Sequence, residues 1–401
     1  MTWLVDGRPV RRALVTRLRY LGDVVMSTVV IDALRRGDAA LEIGYLCEEA
    51  HAPVLAGHSD LARVHALAVR RHGGDARARS VPRGAPEGDL RAQGAAGTVR
   101  ALRTCRYDLA VDLFFNPRSA WLLALAGIRC RLAGPAGSRG WLYAHQSAPR
   151  GAGADERWPR LAPGGLGEHL SRLAPLVHRE SGLGFIDWYL ESGRVACPGL
   201  ARRPDAGTRV AGLLASRGLP PAAPFVLLAP GATWPTKRWP QDHWAELGKA
   251  LAATWPGSVV TLTPPGEGQD TVPAAPPAAA PAEAPGTRRA ATLPVLPLPD
   301  VMDVLQCATA LVTVDGGVMH TAVGLGTPTL GLFGPTDPVT WFPYEATGPY
   351  RVLATRPPCH PCHLHACDAF VCLPDLAPAT VLAALRDMLA GRQASSGGGC
   401  S

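Results

Sequence analysis

The sequence predicts an α/β protein with parallel sheets, and three stretches carry this prediction. In residues 311–337 an apolar, β-branched run is followed by a glycine-rich turn, a helical run and a second apolar run. This order is the βαβ unit of a parallel sheet. A strand, a glycine turn and a helix also open the chain at residues 13–34, and the same order returns at residues 225–254. With 401 residues the chain is long enough for two domains, which we expect to begin in the same way.

Short apolar runs bounded by polar residues or glycine predict the strands of the first half, and apolar residues spaced three and four apart predict its helices. From Val24 to Leu34 the apolar residues fall on one helical face. Strands that alternate with helices predict a parallel sheet with helices on both faces. The expected strands span residues 13–18, 41–47, 108–114 and 129–132, and the expected helices span residues 24–34, 98–103, 119–126 and 168–179.

The second half repeats the pattern after a proline-containing stretch at residues 197–224, where we place the domain boundary. We expect domains at residues 1–205 and 206–375, followed by a terminal helix and a disordered tail at residues 376–401. Pro378 suits the first position of that helix, because its missing N–H is not needed there. Further strands are expected at residues 225–229, 258–262, 311–314, 329–333 and 350–354, and helices at residues 241–254, 300–310 and 318–325.

Three segments interrupt the alternation. Residues 70–97 are polar and rich in glycine, proline and arginine, which predicts a mobile surface loop. Residues 264–290 contain an alanine- and proline-rich stretch that cannot bury enough apolar surface to fold, so we expect a flexible insertion. The irregular residues 135–167 include three side chains that we expect to line a groove: Trp141, Tyr143 and His145.

The composition predicts a protein without a membrane span or an export signal. The hydrophobic share of 47% is ordinary for a globular protein, and no apolar run approaches the roughly 18 residues of a membrane span. The N-terminus lacks the positive-then-apolar order of a secretory signal. We therefore expect a cytoplasmic protein whose cysteines are thiols or metal ligands rather than a disulfide framework.

The charge distribution favours an anionic partner. The net charge is +7, and ten arginines lie between Arg63 and Arg106 against three acidic residues. A basic patch of this kind suits phosphorylated lipid, a membrane surface or nucleic acid. The alternative is a solvated, arginine-rich loop.

Four cysteines near the C-terminus fall within fourteen residues: Cys359, Cys362, Cys367 and Cys372. Four thiolates can hold a structural zinc or iron ion tetrahedrally, although the spacing is not that of two CxxC knuckles. Three interleaved histidines could replace some of the thiolates as ligands: His360, His363 and His365. The alternative is a local turn with reduced thiols.

The glycine-rich turn at residues 315–317 is the expected anion site. A helix that follows a parallel strand presents its unpaired N–H groups at the carboxyl end of the sheet, where an anionic group is favoured. Gly316 and Gly317 would allow a phosphate to approach this backbone closely.

Three separated segments resemble the signature loops of the bacterial glycosyltransferase family 9, the ADP-heptose:lipopolysaccharide heptosyltransferases. They are residues 18–25, residues 230–240, and residues 315–320 together with residues 333–336. The resemblance implies a GT-B fold, in which two Rossmann-like domains with parallel sheets face a central cleft. The first domain would hold the acceptor and the second the nucleotide-sugar donor. It also implies an inverting transfer that needs no catalytic metal ion or other cofactor.

The resemblance assigns catalytic roles to Asp23 and Lys237. Asp23 would be the base on the acceptor hydroxyl, and Lys237 would neutralise the departing diphosphate. The alternatives are that Asp23 only caps its helix and that Lys237 is a solvated lysine. The resemblance also implies a set of donor-binding residues: Gly22, Thr233, Arg238, Asp315, Gly316, Gly317, His320, Gly334, Pro335 and Thr336.

Within this set, Asp315 would hold a sugar hydroxyl, and Gly317 and the helix start would receive the diphosphate. His320 would contact phosphate or orient its helix; the alternative is a structural histidine. Trp234 and Trp239 are expected to be packing residues; the alternative is that one of them stacks on a sugar or adenine ring. Gly316 departs from the family, which usually carries Ser or Thr directly after the aspartate. One hydroxyl that would contact the diphosphate is therefore missing, and the identity of the donor sugar is not determined by the resemblance.

The predicted function is transfer of a heptose from an ADP-activated donor to a lipopolysaccharide inner-core acceptor. Alternatives are transfer to a protein or another glycan, a nucleotide-sugar epimerase-like enzyme, and a binding module without catalysis. The expected partners are an ADP-sugar, an anionic glycan or lipopolysaccharide and, peripherally, the inner membrane. Nucleic acid is not an expected partner.

Overall fold

The computed structural model describes residues 3–69, 92–147, 164–193, 195–265 and 289–396. The chain divides into two compact units, Met1–Ala201 and Arg202–Ser401. Each unit contains a six-stranded sheet whose strands are all parallel. The predicted α/β class with parallel sheets is therefore confirmed.

The first unit combines the parallel sheet with a small antiparallel one. Its strands are β1 (Trp3–Val5), β2 (Arg8–Pro9), β3 (Arg12–Thr16), β4 (Glu42–Glu48), β5 (Arg63–Leu67), β6 (Leu109–Asp112), β7 (Cys130–Ala133), β8 (His145–Gln146) and β9 (Val177–His178). Its helices are α1 (Leu21–Met26), α2 (Thr28–Gly37), α3 (Ala95–Cys105), α4 (Pro117–Leu125), α5 (Gly164–Ser171) and α6 (Phe185–Glu191).

The parallel sheet of the first unit has the strand order β5-β4-β3-β6-β7-β8. This is the Rossmann order, and it reverses between the central strand β3 and its neighbour β6. The connections that leave these two strands run in opposite directions and open a crevice at their carboxyl ends. Asp23 lies beside this crevice, because α1 follows β3 directly.

The sequence does not predict the antiparallel sheet, in which β1 pairs with β2 and β9. Trp3 anchors this sheet, since its side chain is fully buried and its indole N–H donates to the carbonyl of Leu34 at 2.9 Å. The expected single helix at residues 24–34 is also divided. Ser27 separates α1 from α2, and its hydroxyl donates to the carbonyl of Val24 at 2.7 Å.

Trp141, Tyr143 and His145 have separate contacts rather than one common groove. Tyr143 is buried, and its hydroxyl donates to Asp112 at 2.7 Å. Trp141 is exposed and makes an edge contact with the exposed indole of Trp121. His145 pairs with Asp6 at 2.9 Å.

The second unit repeats the architecture. Its strands are β10 (Phe225–Ala229), β11 (Ser258–Leu262), β12 (Ala290–Leu293), β13 (Ala310–Val314), β14 (Thr329–Phe333) and β15 (Tyr350–Ala354). Its helices are α7 (Ala206–Ala215), α8 (Gln241–Thr254), α9 (Leu298–Cys307), α10 (Gly317–Gly324), α11 (Pro338–Trp341) and α12 (Pro378–Ser396).

The sheet of the second unit has the order β12-β11-β10-β13-β14-β15, so β10 and β13 flank the point where the order reverses. Five predicted elements have the observed bounds: β10, β11, β14, β15 and α8. The sequence does not predict α7, because prolines surround it. This helix buries Val210 and Leu214, and Arg209 ties it to Asp303 on α9 at 2.6 Å.

Several predictions concern residues that the structure does not describe. The predicted loop at residues 70–97 lies largely outside the described residues, and its last part is the start of α3. The predicted insertion at residues 264–290 and the end of the predicted tail also lie mostly outside them. Within the described ranges, no helix combines the length and the apolar character needed to cross a membrane.

Candidate active site

In the second unit, a buried ion pair lies at the point where the strand order reverses. Lys237 ends a short 3₁₀ turn, Pro235–Lys237, in the connection after β10, and Asp315 follows β13 directly. The ammonium nitrogen of Lys237 lies 2.6 Å from Oδ2 of Asp315, with exposed side-chain fractions of 15% and 5%. The sequence prediction therefore placed both residues in the region where the structure brings them together.

Thr336 joins this pair from the loop after β14. Its hydroxyl donates to Oδ2 of Asp315 at 2.6 Å, so one carboxylate oxygen accepts from two loops. The ammonium of Lys237 has three N–H donors, and Asp315 occupies one of them. The others remain for an anionic ligand, and the carboxylate fixes the direction in which they point.

Aromatic side chains hold Lys237 from a second direction. Its ammonium lies 4.2 Å from the ring centroid of Trp234, which is within the range of a cation–π interaction. Trp234 in turn stacks on His365, with ring centroids 3.6 Å apart. The sequence carries a further signal here, because Lys and Arg together number 40 but only two are lysines, Lys237 and Lys249.

The cysteine segment at residues 359–372 forms one wall of this site. Thr236 donates its hydroxyl to the carbonyl of Leu364 at 2.6 Å, and the N–H of His363 donates to the carbonyl of Pro335 at 3.0 Å. These bonds join the segment to the loops after β10 and β14. The sequence prediction treated the segment only as a metal candidate and did not anticipate this contact.

The four cysteines of this segment are free thiols: Cys359, Cys362, Cys367 and Cys372. Among the His, Cys, Asp and Glu side chains in the part of the chain that the structure describes, only one group of three has ligand atoms that all lie within 4.8 Å of one another. This group consists of Asp6, Cys130 and His145. As arranged here, the four thiols do not present three ligand atoms that converge on one ion. Metal binding by this segment stays a prediction.

The glycine turn after β13 has an extended backbone. Gly316 has φ 178°, a conformation that any residue adopts, and a Cβ atom there would meet only the carbonyl of Val314, at 3.9 Å. The helix α10 begins at Gly317, so its first N–H groups lie beside Asp315 at the carboxyl end of the sheet. The backbone at Gly316 would therefore accept a serine or threonine, so its conformation does not explain why the hydroxyl is missing.

His320 lies beneath this turn rather than on its surface. Its side chain is buried, and its Nδ1 lies 2.8 Å from the hydroxyl of Tyr344. This contact favours the helix-orienting role over direct phosphate contact.

Of the remaining predicted donor residues, Gly22 belongs to the first unit, and the others lie in the connections after β10 and β14 of the second unit. Thr233 and Arg238 are exposed, whereas Gly334 is buried. A Cβ atom on Gly334 would lie 2.9 Å from the carbonyl oxygen of Thr236 and 3.0 Å from Leu373. Close approach of two loops therefore requires glycine at this position.

In the first unit, Asp23 is the third residue of α1 and follows Gly22. Its Oδ1 lies 2.6 Å from the guanidinium of Arg17, and its Oδ2 accepts the N–H of Tyr20 at 3.3 Å. Asp23 thus contributes to the helix cap, but from inside the helix rather than as the N-cap residue. A carboxylate has about four acceptor positions, so capping and ion pairing leave capacity for a substrate hydroxyl.

The sequence prediction missed Arg17, although this residue follows β3 directly and so lies at the carboxyl end of the sheet. Arg17 also donates to the carbonyl of Leu113 at 2.6 Å and lies over the ring of Phe114 at 5.1 Å. These contacts fix the guanidinium that holds Asp23.

Two further basic groups are buried in the first unit near Arg17. Burial, together with the charges of Arg17 and Arg172, holds the pKa of His169 well below its ordinary value, so the ring is neutral. Arg172 is also buried and donates to Glu168 at 2.9 Å. A neutral imidazole relieves the repulsion that a third positive charge would create here.

Comparison with known proteins finds sequences that are similar to this chain. Residues 204–368 match the family described as glycosyltransferase family 9 (heptosyltransferase). Lipopolysaccharide heptosyltransferase 1 of Pseudomonas aeruginosa is 28% identical over 356 residues, which cover 89% of this chain and 87% of that protein.

Solved structures show the same fold. A family 9 glycosyl transferase from Veillonella parvula superposes with a TM-score of 0.68 at 16% identity, covering 95% of this chain and 98% of that one. The ADP-heptose lps heptosyltransferase II of E. coli gives a TM-score of 0.67 at 18% identity, covering 95% and 99% of the two chains. The predicted GT-B fold class is therefore confirmed.

Serine substitutions at two glycines test the loop geometry. Gly316→Ser should change the free energy of unfolding by less than about 0.5 kcal/mol, because the site has room for a side chain. Gly334→Ser should lower it by about 1–3 kcal/mol, because the new side chain would collide with the backbone of Thr236. Chemical denaturation of both variants measures the difference, and equal losses would contradict the loop arrangement.

Proposed function

We propose that this chain is a member of glycosyltransferase family 9 and that it transfers a heptose from an ADP-activated donor to a lipopolysaccharide inner-core acceptor, with inversion at the anomeric carbon. The buried Lys237–Asp315 pair beside the start of α10 is the observation that carries this proposal. It offers directed N–H donors at a position suited to a diphosphate. Similarity to a lipopolysaccharide heptosyltransferase along most of the chain supports the substrate class.

On the donor side, Lys237 stabilises the charge that grows on the departing diphosphate. Asp315 and Trp234 hold its ammonium in place, so little reorganisation is needed during the reaction. The N–H groups at the start of α10 and the open backbone of Gly316 complete the phosphate site. Oδ1 of Asp315 remains for a sugar hydroxyl, because Lys237 and Thr336 both contact Oδ2.

On the acceptor side, Asp23 takes the proton of the attacking hydroxyl. Deprotonation increases the nucleophilicity of the oxygen as it forms a bond to the anomeric carbon while the bond to the diphosphate breaks. Arg17 holds the carboxylate by an ion pair at 2.6 Å. A single displacement from the face opposite the leaving group gives inversion.

We further propose an anionic acceptor and a peripheral position on the cytoplasmic face of the inner membrane. The net charge of +7 and the arginines between residues 63 and 106 support both, because clustered positive charge attracts phosphorylated glycans and anionic lipids.

The proposed role of the cysteine segment is structural. Its hydrogen bonds to Thr236 and Pro335 and the stacking of His365 on Trp234 support the loops that carry Lys237. No step of the proposed transfer passes through a metal at this segment.

Donor selection tests the proposed function. The protein is incubated with a core-oligosaccharide acceptor and either ADP-heptose or a competing nucleotide sugar, and the released nucleotide is measured. ADP-heptose should give acceptor-dependent ADP release at least roughly tenfold faster than the other donors, because hydrogen-bonding sites discriminate well between substrates. Faster release from another donor, or release that does not depend on the acceptor, would overturn the assignment.

Asp23→Asn should lower the transfer rate by about 10²–10⁴-fold, the usual contribution of a general base. ADP affinity should remain unchanged, since Asp23 belongs to the acceptor side. Asp32→Asn provides the matched control, because Asp32 lies on α2 in a half-exposed pair with Arg36. Rate assays and ADP titrations of both variants are compared, and a parallel loss of rate and ADP affinity would indicate a folding role instead.

Lys237→Ala should lower turnover by about 10²-fold or more, because a preorganised group no longer meets the leaving diphosphate. Lys237→Arg should restore little, since the planar guanidinium does not replace a compact ammonium. Lys249→Ala on the exposed face of α8 is the matched control. Turnover and thermal unfolding are measured for all three variants, and an unaffected rate in Lys237→Ala removes this residue from the mechanism.

A further inference from the structure

A cavity of about 620 Å³ lies in the first unit at the amino ends of β6 and β7. Asp6 and Cys130 are among the residues that line it. Because the strands of the sheet are parallel, this edge is opposite the carboxyl end of β3, beside which Asp23 lies. The cavity therefore belongs to a different part of the unit from the proposed catalytic base.

Three potential metal ligands meet at one side of this cavity. Asp6 lies in the turn between β1 and β2, Cys130 is the first residue of β7, and His145 is the first residue of β8. Their ligand atoms all lie within 4.8 Å of one another, and Nε2 of His145 is 2.9 Å from Oδ1 of Asp6. Tetrahedral zinc with bonds of about 2.0–2.3 Å separates its ligand atoms by roughly 3.3–3.8 Å, so small side-chain movements would complete the geometry.

The backbone presents these side chains in fixed positions. Asp6 and Gly7 have φ values of 48° and 72°, as in the tight two-residue turn that Asp-Gly sequences favour between antiparallel strands. β7 and β8 are paired neighbours in the parallel sheet. Cys130 is buried, whereas the side chains of Asp6 and His145 are exposed by 59% and 33%, which leaves an entry path for an ion.

We propose that Asp6, Cys130 and His145 form a zinc site, with a water molecule from the cavity as the fourth ligand. Thiolate, imidazole and carboxylate are the three ligand types that zinc takes in proteins. Three protein ligands with one open position are also the arrangement of zinc sites that keep a water ligand.

The charge of the proposed centre is balanced. A thiolate and a carboxylate carry two negative charges, which match Zn²⁺, whereas the neutral imidazole adds none. Four arginines on the cavity wall are exposed to solvent: Arg8, Arg103, Arg106 and Arg129. Water and salt screen their repulsion of the ion.

The ion would connect three segments that are distant in sequence, namely the β1–β2 turn and the starts of β7 and β8. Such a site exists only in the folded chain, so metal binding stabilises the fold. The expected role is to fix the small antiparallel sheet to the parallel one.

Cobalt binding tests this proposal, because a Co²⁺–thiolate bond gives a charge-transfer absorption that a Co²⁺ ion without sulfur ligands lacks. The full chain is prepared with Cys359, Cys362, Cys367 and Cys372 all changed to serine, so that the cysteine segment contributes no thiolate. Co²⁺ should bind at one ion per chain with a charge-transfer band, and one equivalent of Zn²⁺ should remove that band.

Further changes in this background identify the ligands. Cys130→Ser should abolish the band, and Asp6→Asn and His145→Gln should each weaken Co²⁺ binding by roughly tenfold or more. Cys307→Ser, a half-buried cysteine of the second unit, is the control and should leave the band unchanged. Zn²⁺ should also raise the melting temperature of the background protein but not that of Cys130→Ser.

Two results would overturn the proposal. One is a charge-transfer band that persists in Cys130→Ser, because another cysteine would then hold the ion. The other is a background protein that is folded by circular dichroism but gives no band and no Zn²⁺-dependent rise in melting temperature.

Discussion

The ion pair between Lys237 and Asp315 is the interaction on which the rest of the proposed donor site depends. Its two side chains come from the connections after β10 and β13, and Thr336 adds the loop after β14. Removing one partner of a buried pair leaves an uncompensated charge and typically costs about 3–5 kcal/mol. The pair therefore joins three loops and also directs the free N–H groups of Lys237.

The first unit contains a related arrangement at the equivalent place in its sheet. Each sheet has the same strand order, and in each a largely buried ion pair lies at the carboxyl end of the central strand. Both members of the first pair, Arg17 and Asp23, follow β3, whereas the second pair joins Lys237 after β10 to Asp315 after β13. The two oxygens of Asp23 accept from different groups, Arg17 and the N–H of Tyr20, whereas Lys237 and Thr336 both contact Oδ2 of Asp315.

The sequence predicted five of the six strands of the second sheet, because β-branched runs bounded by glycine and proline are local signals, but it did not predict β12. It did not predict β1, whose pairing with β9 joins segments far apart in the chain. The candidate residues Asp23, Lys237 and Asp315 followed from the resemblance of their loops to the signature loops of the family. Their partners were harder to predict. His365 meets Trp234 only through tertiary packing, and Arg17, although it lies in the same connection as Asp23, falls within the predicted strand at residues 13–18. The chain contains only two lysines, and this rarity could have drawn attention to Lys237.

The central claim is that Asp315 acts on the diphosphate through Lys237. ADP affinity measured by calorimetry for the unchanged chain, Lys237→Met, Asp315→Asn and the double variant tests it most directly. The account predicts that Asp315→Asn weakens ADP binding in the unchanged chain but has little further effect once Lys237 is methionine, with a coupling energy of about 1 kcal/mol or more. Fully additive losses would contradict it, because each residue would then contact the ligand independently.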